Sequence, residues 1–242
     1  MTSYENATYP TNTTAPQWSI TWQFPPGPPT QPVHAFPNIK LDPDNVFPIE
    51  ISQVAAIDFS ADWAYGVGDV KPNTTNVNDL LAADVNSNVA IDMFLDSDPT
   101  KATSSVDAKY EVMVWLGVFG VATEPIGLRQ GSLKTEAING TNLYVCPHCH
   151  PFSARIFSLT LCDSNLYFGE NGLGQSVLTW VAQGTVQSFH ADIGPLLQGL
   201  TGLGGPTVND YLGYLAFGSE ALSASTNITF YNPNLSMDIK SL

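Results

Sequence analysis

Short segments in which apolar and polar residues alternate recur along almost the whole 242-residue chain, each ended by a cluster of Gly, Pro, Asn or Asp. A period of two sends successive side chains to opposite faces, so each segment is a strand with one face to bury. Residues 18–24, 33–41, 53–65, 88–95, 110–118, 176–181, 186–190, 212–217 and 227–231 all read this way. A helix is expected only over 192–203, where Ile193, Leu196, Leu197 and Leu200 recur at spacings of three and four. Pro25, Pro26, Pro28, Pro29 and Pro32 break any helix between the first two strands and predict an extended loop there. With five Trp, nine Tyr and twelve Phe as core material, many strands and one helix imply an all-β sandwich or jelly roll. No repeat of 20 to 50 residues divides the chain, and residues 1–242 are expected to form one domain.

The charge balance narrows the partners. Eight basic against 22 acidic residues leave a formal charge of −14. Binding to phosphate backbones relies on Lys and Arg, so nucleic acid is an unsuitable partner, as is an anionic membrane surface. Charged residues make up 12% of the chain, against about 25% in ordinary soluble domains, so Ser, Thr, Asn and Gly must supply the polar surface. No apolar run is long enough to span a bilayer. The polar start Met1-Thr2-Ser3-Tyr4 lacks the features of a secretory leader. Six Asn-x-Ser/Thr sequons nevertheless occur, at Asn6, Asn12, Asn73, Asn139, Asn227 and Asn234, roughly twice the chance number. They point to a secreted glycoprotein whose leader has been removed.

Three acids stand at unusual strand positions. In Tyr110-Glu111-Val112-Met113-Val114-Trp115-Leu116, alternation sends Tyr110, Val112, Val114 and Leu116 to a core face and Glu111, Met113 and Trp115 to the other. A carboxylate between a thioether and an indole fits neither plain core nor plain solvent face. It does suit a sugar cleft, where a ring stacks on the pyranose and a carboxylate reaches the anomeric carbon. In the segment 214–222, Tyr214, Ala216, Gly218 and Glu220 share a face, with Leu215 and Phe217 opposite. The strand 89–95 buries Val89, Ile91, Met93 and Leu95 and turns Asp92 to the other side. Retaining glycoside hydrolysis needs two carboxyls about 5 to 5.5 Å apart. A third acid nearby can split their pKa values.

These residues carry a family resemblance. Tyr110 to Leu116, followed by Glu124-Pro125-Ile126-Gly127, resembles the nucleophile segment of glycoside hydrolase family 12. Phe36-Pro37-Asn38 resembles that family's aromatic-Pro-Asn strand, the segment 89–95 its Asp-bearing strand, and Phe217-Gly218-Ser219-Glu220 its acid/base segment. The resemblance implies a concanavalin A-like jelly roll of two curved antiparallel sheets, with an open cleft for a β-1,4-glucan polysaccharide. It implies a secreted, metal-independent endo-β-1,4-glucanase that uses no cofactor and acts as a monomer. Glu111 would be the nucleophile, Glu220 the general acid/base and Asp92 the supporting carboxyl, with Met113 and Trp115 lining the cleft for substrate. Cellulose-type β-glucan is the expected substrate and xyloglucan the alternative.

A missing N-terminal Trp strand and an interior insertion leave a second reading, a glucan-binding jelly roll with impaired catalysis. The family's N-terminal Asn-Asn-Leu-Trp-Gly strand, whose Trp serves a distal sugar subsite, has no counterpart here. Ala221-Leu222 replaces Pro-Phe after the acid/base, which implies a wider aglycone side suited to a branched glucan. The stretch 145–163 reads as an insertion, because removing it restores a family-like Leu-Tyr-x-Gly-x-Asn-Gly ending at Gly172. It holds Cys146, Cys149 and Cys162 beside His148 and His150. Cys146-Pro147-His148-Cys149-His150 matches haem-attachment and thiol-redox spacings but lacks the surrounding elements either needs. Zinc binding is conceivable there, and a disulfide or a plain loop is the expectation. His34 and His190 sit in strand contexts and read as structural.

Overall fold

The computed structural model describes residues 2–3, 13–41, 46–138 and 162–242. In chain order its strands are β1 (Thr2–Ser3), β2 (Thr14–Ala15), β3 (Trp18–Trp22), β4 (Asn38–Lys40) and β5 (Ile49–Glu50). There follow β6 (Val54–Val67), β7 (Asn86–Asp96), β8 (Tyr110–Phe119), β9 (Lys134–Ile138) and β10 (Cys162–Glu170). The last five are β11 (Ser176–Ala182), β12 (Ser188–Asp192), β13 (Tyr211–Gly218), β14 (Ala221–Ser223) and β15 (Ile228–Ser241). They build two packed sheets of jelly-roll type. The six-stranded sheet runs β1-β3-β15-β6-β12 with β2 beside β15. The nine-stranded sheet runs β4-β13-β7-β8-β11-β10-β9, with β5 beside β13 and β14 beside β7.

The alternating patterns explain which faces meet. Tyr110, Val112, Val114 and Leu116 of β8 enter the main core with Val89, Ile91, Met93 and Leu95 of β7 and Leu215 and Phe217 of β13. From the other sheet come Trp18, Trp22, Ile57, Phe59, Trp63, Tyr65 and Phe230. On the nine-stranded sheet's opposite face, Ala90, Met113, Trp115 and Val177 form a second, smaller cluster with Phe36, Val118 and Val181 packed against it. This second cluster floors the candidate site.

Several expectations are revised in detail. The pairs are antiparallel except β8 with β11, which is parallel, so the chain leaves the sheet after β8 and re-enters it in the same direction. The expected strand 33–41 is regular only over Asn38–Lys40, plus a single bridge from Ala35 to Ala221, because Pro37 offers no N–H to a ladder. The expected helix 192–203 shrinks to a single short helix over Gly194–Gln198, since Gly199 and the left-handed Gly202 end it. Its apolar residues Ile193, Leu196, Leu197 and Leu200 are all buried as the spacing required. Two short helices arise from caps. Asn76 accepts from the Asn78 N–H ahead of Val77–Ala82, and Asp98 accepts from Thr100 ahead of Pro99–Ala102. Of the stretch 145–163, only Cys162 and Asp163 lie among the described residues, as the start of β10. Cys146, Cys149, His148 and His150 lie outside them. The flanking strands β9 and β10 pair antiparallel, with Cys162 opposite Ile138.

Candidate active site

Strand register puts Asp92 and Glu111 on one face, and the segment after β13 brings Glu220 to the Asn88 side chain beside them. Across the nine-stranded sheet, Lys40, Ala216, Asp92, Met113, Thr179 and Tyr167 form one row of directly paired residues. The adjacent row is Tyr214, Phe94, Glu111, Val177 and Gly169. The row on the other side is Asn38, Gly218, Ala90, Trp115, Val181, Asn165 and Thr135. Two bulges keep the faces correct. One falls where Val89 pairs with Gly117 and Ala90 with Trp115, so Leu116 and Gly117 both turn coreward and Val118 returns to the Trp115 side. The other falls at Gly213 and leaves Leu212 in the core while Tyr214 joins the acid face.

Glu111 is half-buried, and one of its oxygens accepts a hydrogen bond of 3.0 Å from the Asn171 amide. Asn171 is itself fixed. Its Oδ1 accepts from the Leu173 and Gln175 N–H groups, its Nδ2 also donates to Gln175 Oε1, and Gln175 Nε2 donates to the carbonyls of Ser105 and Ala108. The Pro125-Ile126-Gly127 motif supports the same region. Gly127 has φ +95°, and a Cβ there would stand 2.0 Å from the Phe168 carbonyl oxygen, so only glycine lets this loop press on β10.

Glu220 follows β13 on a segment pinned from both sides. The Asn88 side chain clamps it: Nδ2 donates to Glu220 Oε2 and Oδ1 accepts the Glu220 N–H at 3.1 Å. Using Oδ1 on the main chain leaves the NH₂ end to face the carboxylate. Gly218, two residues earlier, permits the close approach of residues 37–38, since a Cβ there would stand 2.2 Å from the Pro37 carbonyl oxygen. Asp92 is buried, and its Oδ1 has no hydrogen-bond partner.

Electrostatics follow from this placement. Burial lifts Glu220 to about 7, the Asn88 hydrogen bond opposing and the Glu111 charge adding to the rise. Burial also raises Glu111, while the Asn171 hydrogen bond pulls it back. Asp92 is pushed well above the usual carboxylate range by burial and then by the charges of Glu111 and Glu220. Among the described residues none of the three acids forms an ion pair. The three carboxyls therefore sense one another with no cation paired to any of them among the described residues, which favours one or more protons among them at neutral pH.

Met113 and Trp115 lie where the alternation puts them, yet they are only 5% and 4% exposed, and the Trp115 indole N–H points at Met113 Sδ at 3.3 Å. They make the floor rather than a free stacking surface. The more open aromatic is Tyr214, half-buried, edge-on to Phe94 at 5.1 Å and capped by Lys40 at 5.2 Å. Ala221 and Leu222 are both buried, Ala221 in the main core, so their size does not set the width of the rim. Asn88, Asn171 and Tyr214 were not singled out from the sequence as site residues. Asn88 was within reach, since alternation back from Asp92 gives Ala90 and then Asn88, and Asn171 lies in the Leu-Tyr-x-Gly-x-Asn-Gly run.

Comparison with known proteins adds an independent line. The sequence signature of Glycosyl hydrolase family 12 matches residues 10–240. A probable xyloglucan-specific endo-beta-1,4-glucanase A of Neosartorya fischeri is 28% identical over 211 residues, 87% of this chain and 68% of that protein. One of the same name from Aspergillus clavatus is 28% identical over 221 residues, 90% of this chain and 73% of that protein. Among solved structures, Trichoderma harzianum endoglucanase 3 superposes with a TM-score of 0.67 at 21% identity, over 93% of this chain and 79% of its own. A Bacillus licheniformis family 12 xyloglucanase superposes at 0.64 with 16% identity, over 96% of this chain and 84% of its own.

Proposed function

The chain belongs to glycosyl hydrolase family 12, and from that premise we propose that it hydrolyses internal β-1,4-glucosidic bonds by double displacement, with Glu111 as nucleophile and Glu220 as general acid/base. The observation that carries this reading is the unequal treatment of two carboxyls on one face. Glu220, lifted to about 7, keeps its proton in mildly acidic solution, and the Asn171 hydrogen bond favours the ionised form of Glu111. Burial raises both carboxyls and an Asn side chain opposes the rise on each, while the Glu111 charge adds to the rise on Glu220, which marks Glu220 as the acid and Glu111 as the nucleophile.

In the first step Glu220 gives its proton to the glycosidic oxygen as Glu111 attacks the anomeric carbon, forming a glycosyl-enzyme and releasing the aglycone chain. In the second, Glu220, now ionised, takes a proton from water as that water attacks the same carbon and frees Glu111. Two inversions retain the configuration. Burial and the charges of both Glu residues hold Asp92 toward its protonated form, which lessens the negative charge repelling the ionised nucleophile.

The substrate is a β-1,4-glucan, and xyloglucan is favoured over unbranched cellulose because the curated relatives at 28% identity are described as xyloglucan-specific. A neutral polysaccharide also suits a chain with few cations. We read the protein as a secreted monomer, with the sequon residues Asn73 and Asn234 exposed to solvent.

The test is hydrolysis of xyloglucan, mixed β-glucan and carboxymethyl cellulose, with the anomer of the fresh product followed by NMR in the wild type, Glu111→Gln and Glu220→Gln. Retained β-product from xyloglucan and loss of at least about a hundredfold in each variant are expected. An inverted product, or full activity in either variant, refutes the pairing.

A further inference from the structure

A chain of buried hydroxyls crosses the sandwich and ends on the backbone that carries Glu220. It begins in the six-stranded sheet, where the Trp22 indole N–H donates to the Tyr65 hydroxyl at 3.2 Å. Tyr65 Oη lies 2.5 Å from Ser219 Oγ and 3.0 Å from Ser87 Oγ, and the two serines are 2.9 Å apart. Ser219 then donates to the Asn88 carbonyl at 2.5 Å, and Ser87 to the Glu220 carbonyl at 2.7 Å. Tyr65, Ser87 and Ser219 are wholly buried and Trp22 nearly so.

Proton counting gives the chain a direction. An indole nitrogen only donates, so the Tyr65 oxygen accepts from Trp22 and spends its single proton on a serine. Both serine protons are already committed to carbonyls that can only accept. The Tyr65 proton serves one serine at a time, so one of its two serine contacts and the Ser87–Ser219 contact carry no proton, while the donated bonds run from the far sheet to the main chain of Asn88 and Glu220, the two residues joined in the carboxylate clamp. Burying four polar side chains in a core otherwise filled by Phe119, Phe230 and other apolar groups costs stability that Phe and Ala at these positions would avoid. A polar cluster of this kind fixes a particular geometry, and here that geometry belongs to the acid/base loop.

We propose that Tyr65 is a positioning residue for proton transfer, its hydroxyl acting through Ser219 and Ser87 to hold the Asn88–Glu220 pair in register with the glycosidic oxygen. The inference rests on the assignment of Glu220 as acid/base made above. Misplacing a general acid slows departure of poor leaving groups and hardly affects groups that leave without protonation.

The experiment compares kcat/KM, which reports the first chemical step, for phenyl and 2,4-dinitrophenyl β-cellotriosides in the wild type, Tyr65→Phe, Ser219→Ala, Glu220→Gln and Met237→Ala. Met237 is a buried core residue of the six-stranded sheet and serves as a packing lesion without hydroxyl loss. Tyr65→Phe and Ser219→Ala are each expected to lose about tenfold on the phenyl substrate and less than about twofold on the dinitrophenyl one. Met237→Ala should change both rates equally. Equal losses on both substrates in Tyr65→Phe and Ser219→Ala, or no loss on either, overturn the positioning role. If Tyr65→Phe does not fold, Ser219→Ala decides alone. A Glu220→Gln enzyme indifferent to the leaving group sinks the acid/base assignment itself, whereas one that is sensitive beside an insensitive Tyr65→Phe sinks only this inference.

Discussion

Replacing Glu220 by Gln should make the protein more stable, and more so as the pH rises. The carboxyl moves from 4.5 in its ordinary state to about 7 in the fold, so the folded protein binds a proton more tightly than the unfolded chain. A carboxyl raised in this way leaves stability intact below about pH 4 and removes it progressively up to about pH 7. Between about pH 5 and 8 the loss integrates to about 2.5 kcal/mol, at about 1.36 kcal/mol per pKa unit. Gln keeps the volume of Glu and an oxygen for Asn88 Nδ2, and it does not ionise. Thermal unfolding at both pH values is the assay. The gap between variant and wild type should widen by roughly 5 to 10 °C over that interval, given about 2 to 4 °C per kcal/mol for a domain of this size. Asp92 and Glu111 remain in both proteins, and Gln at 220 also removes a charge that raises Asp92, which acts in the same direction. Parallel pH dependence in the two proteins would refute the claim that Glu220 is buried at a cost.

Asn171→Ala removes the hydrogen bond that holds the Glu111 pKa down, so the acidic limb of the kcat/KM profile should move up by about one pH unit while the alkaline limb stays; an unmoved acidic limb would show that Asn171 does not act on the nucleophile. Gly218→Ala places a methyl against the Pro37 carbonyl and should cost about 1–3 kcal/mol in urea unfolding, together with activity, because β4 must part from β13 beside Glu220; wild-type stability would show that this approach is not tight.

The parts of the fold visible in the sequence were those set by local periodicity. Alternation sorted 110–116 and 89–95 between their two faces, and it put Glu111 and Asp92 on the shared side. Where a backbone device overrides periodicity, the reading fails in a specific way. Pro37 cuts the strand expected over 33–41 to three residues, and the glycines after Gln198 stop the expected helix while its apolar spacing survives as burial. Parallel pairing of β8 with β11 leaves no trace, because a strand alternates identically whichever way its neighbour runs. Burial depth is equally hidden. Trp115 and Met113 sit on the correct face, but the neighbours that cover them, among them Phe36 and Val181, come from distant segments. The hydroxyl chain behind Glu220 joins positions 22, 65, 87 and 219, a relation that no local window contains.

The six-stranded sheet has a consequence for how the protein emerges from the ribosome. Its central strand is β15, which pairs with β3 on one side and β6 on the other, so residues made near the start of the chain wait for 228–241 before their ladder can close. The nine-stranded sheet can assemble without β15, since its pairings end at β14. During vectorial synthesis, then, the acid-bearing sheet can gather first while the edges of β3 and β6 stay open to other strands, which makes the interval before β15 arrives the period of greatest exposure to misassembly. A pause or truncation before residue 228 would leave Glu111 and Glu220 already synthesised over half a core, with Tyr65 and Trp22 on strands not yet joined across β15.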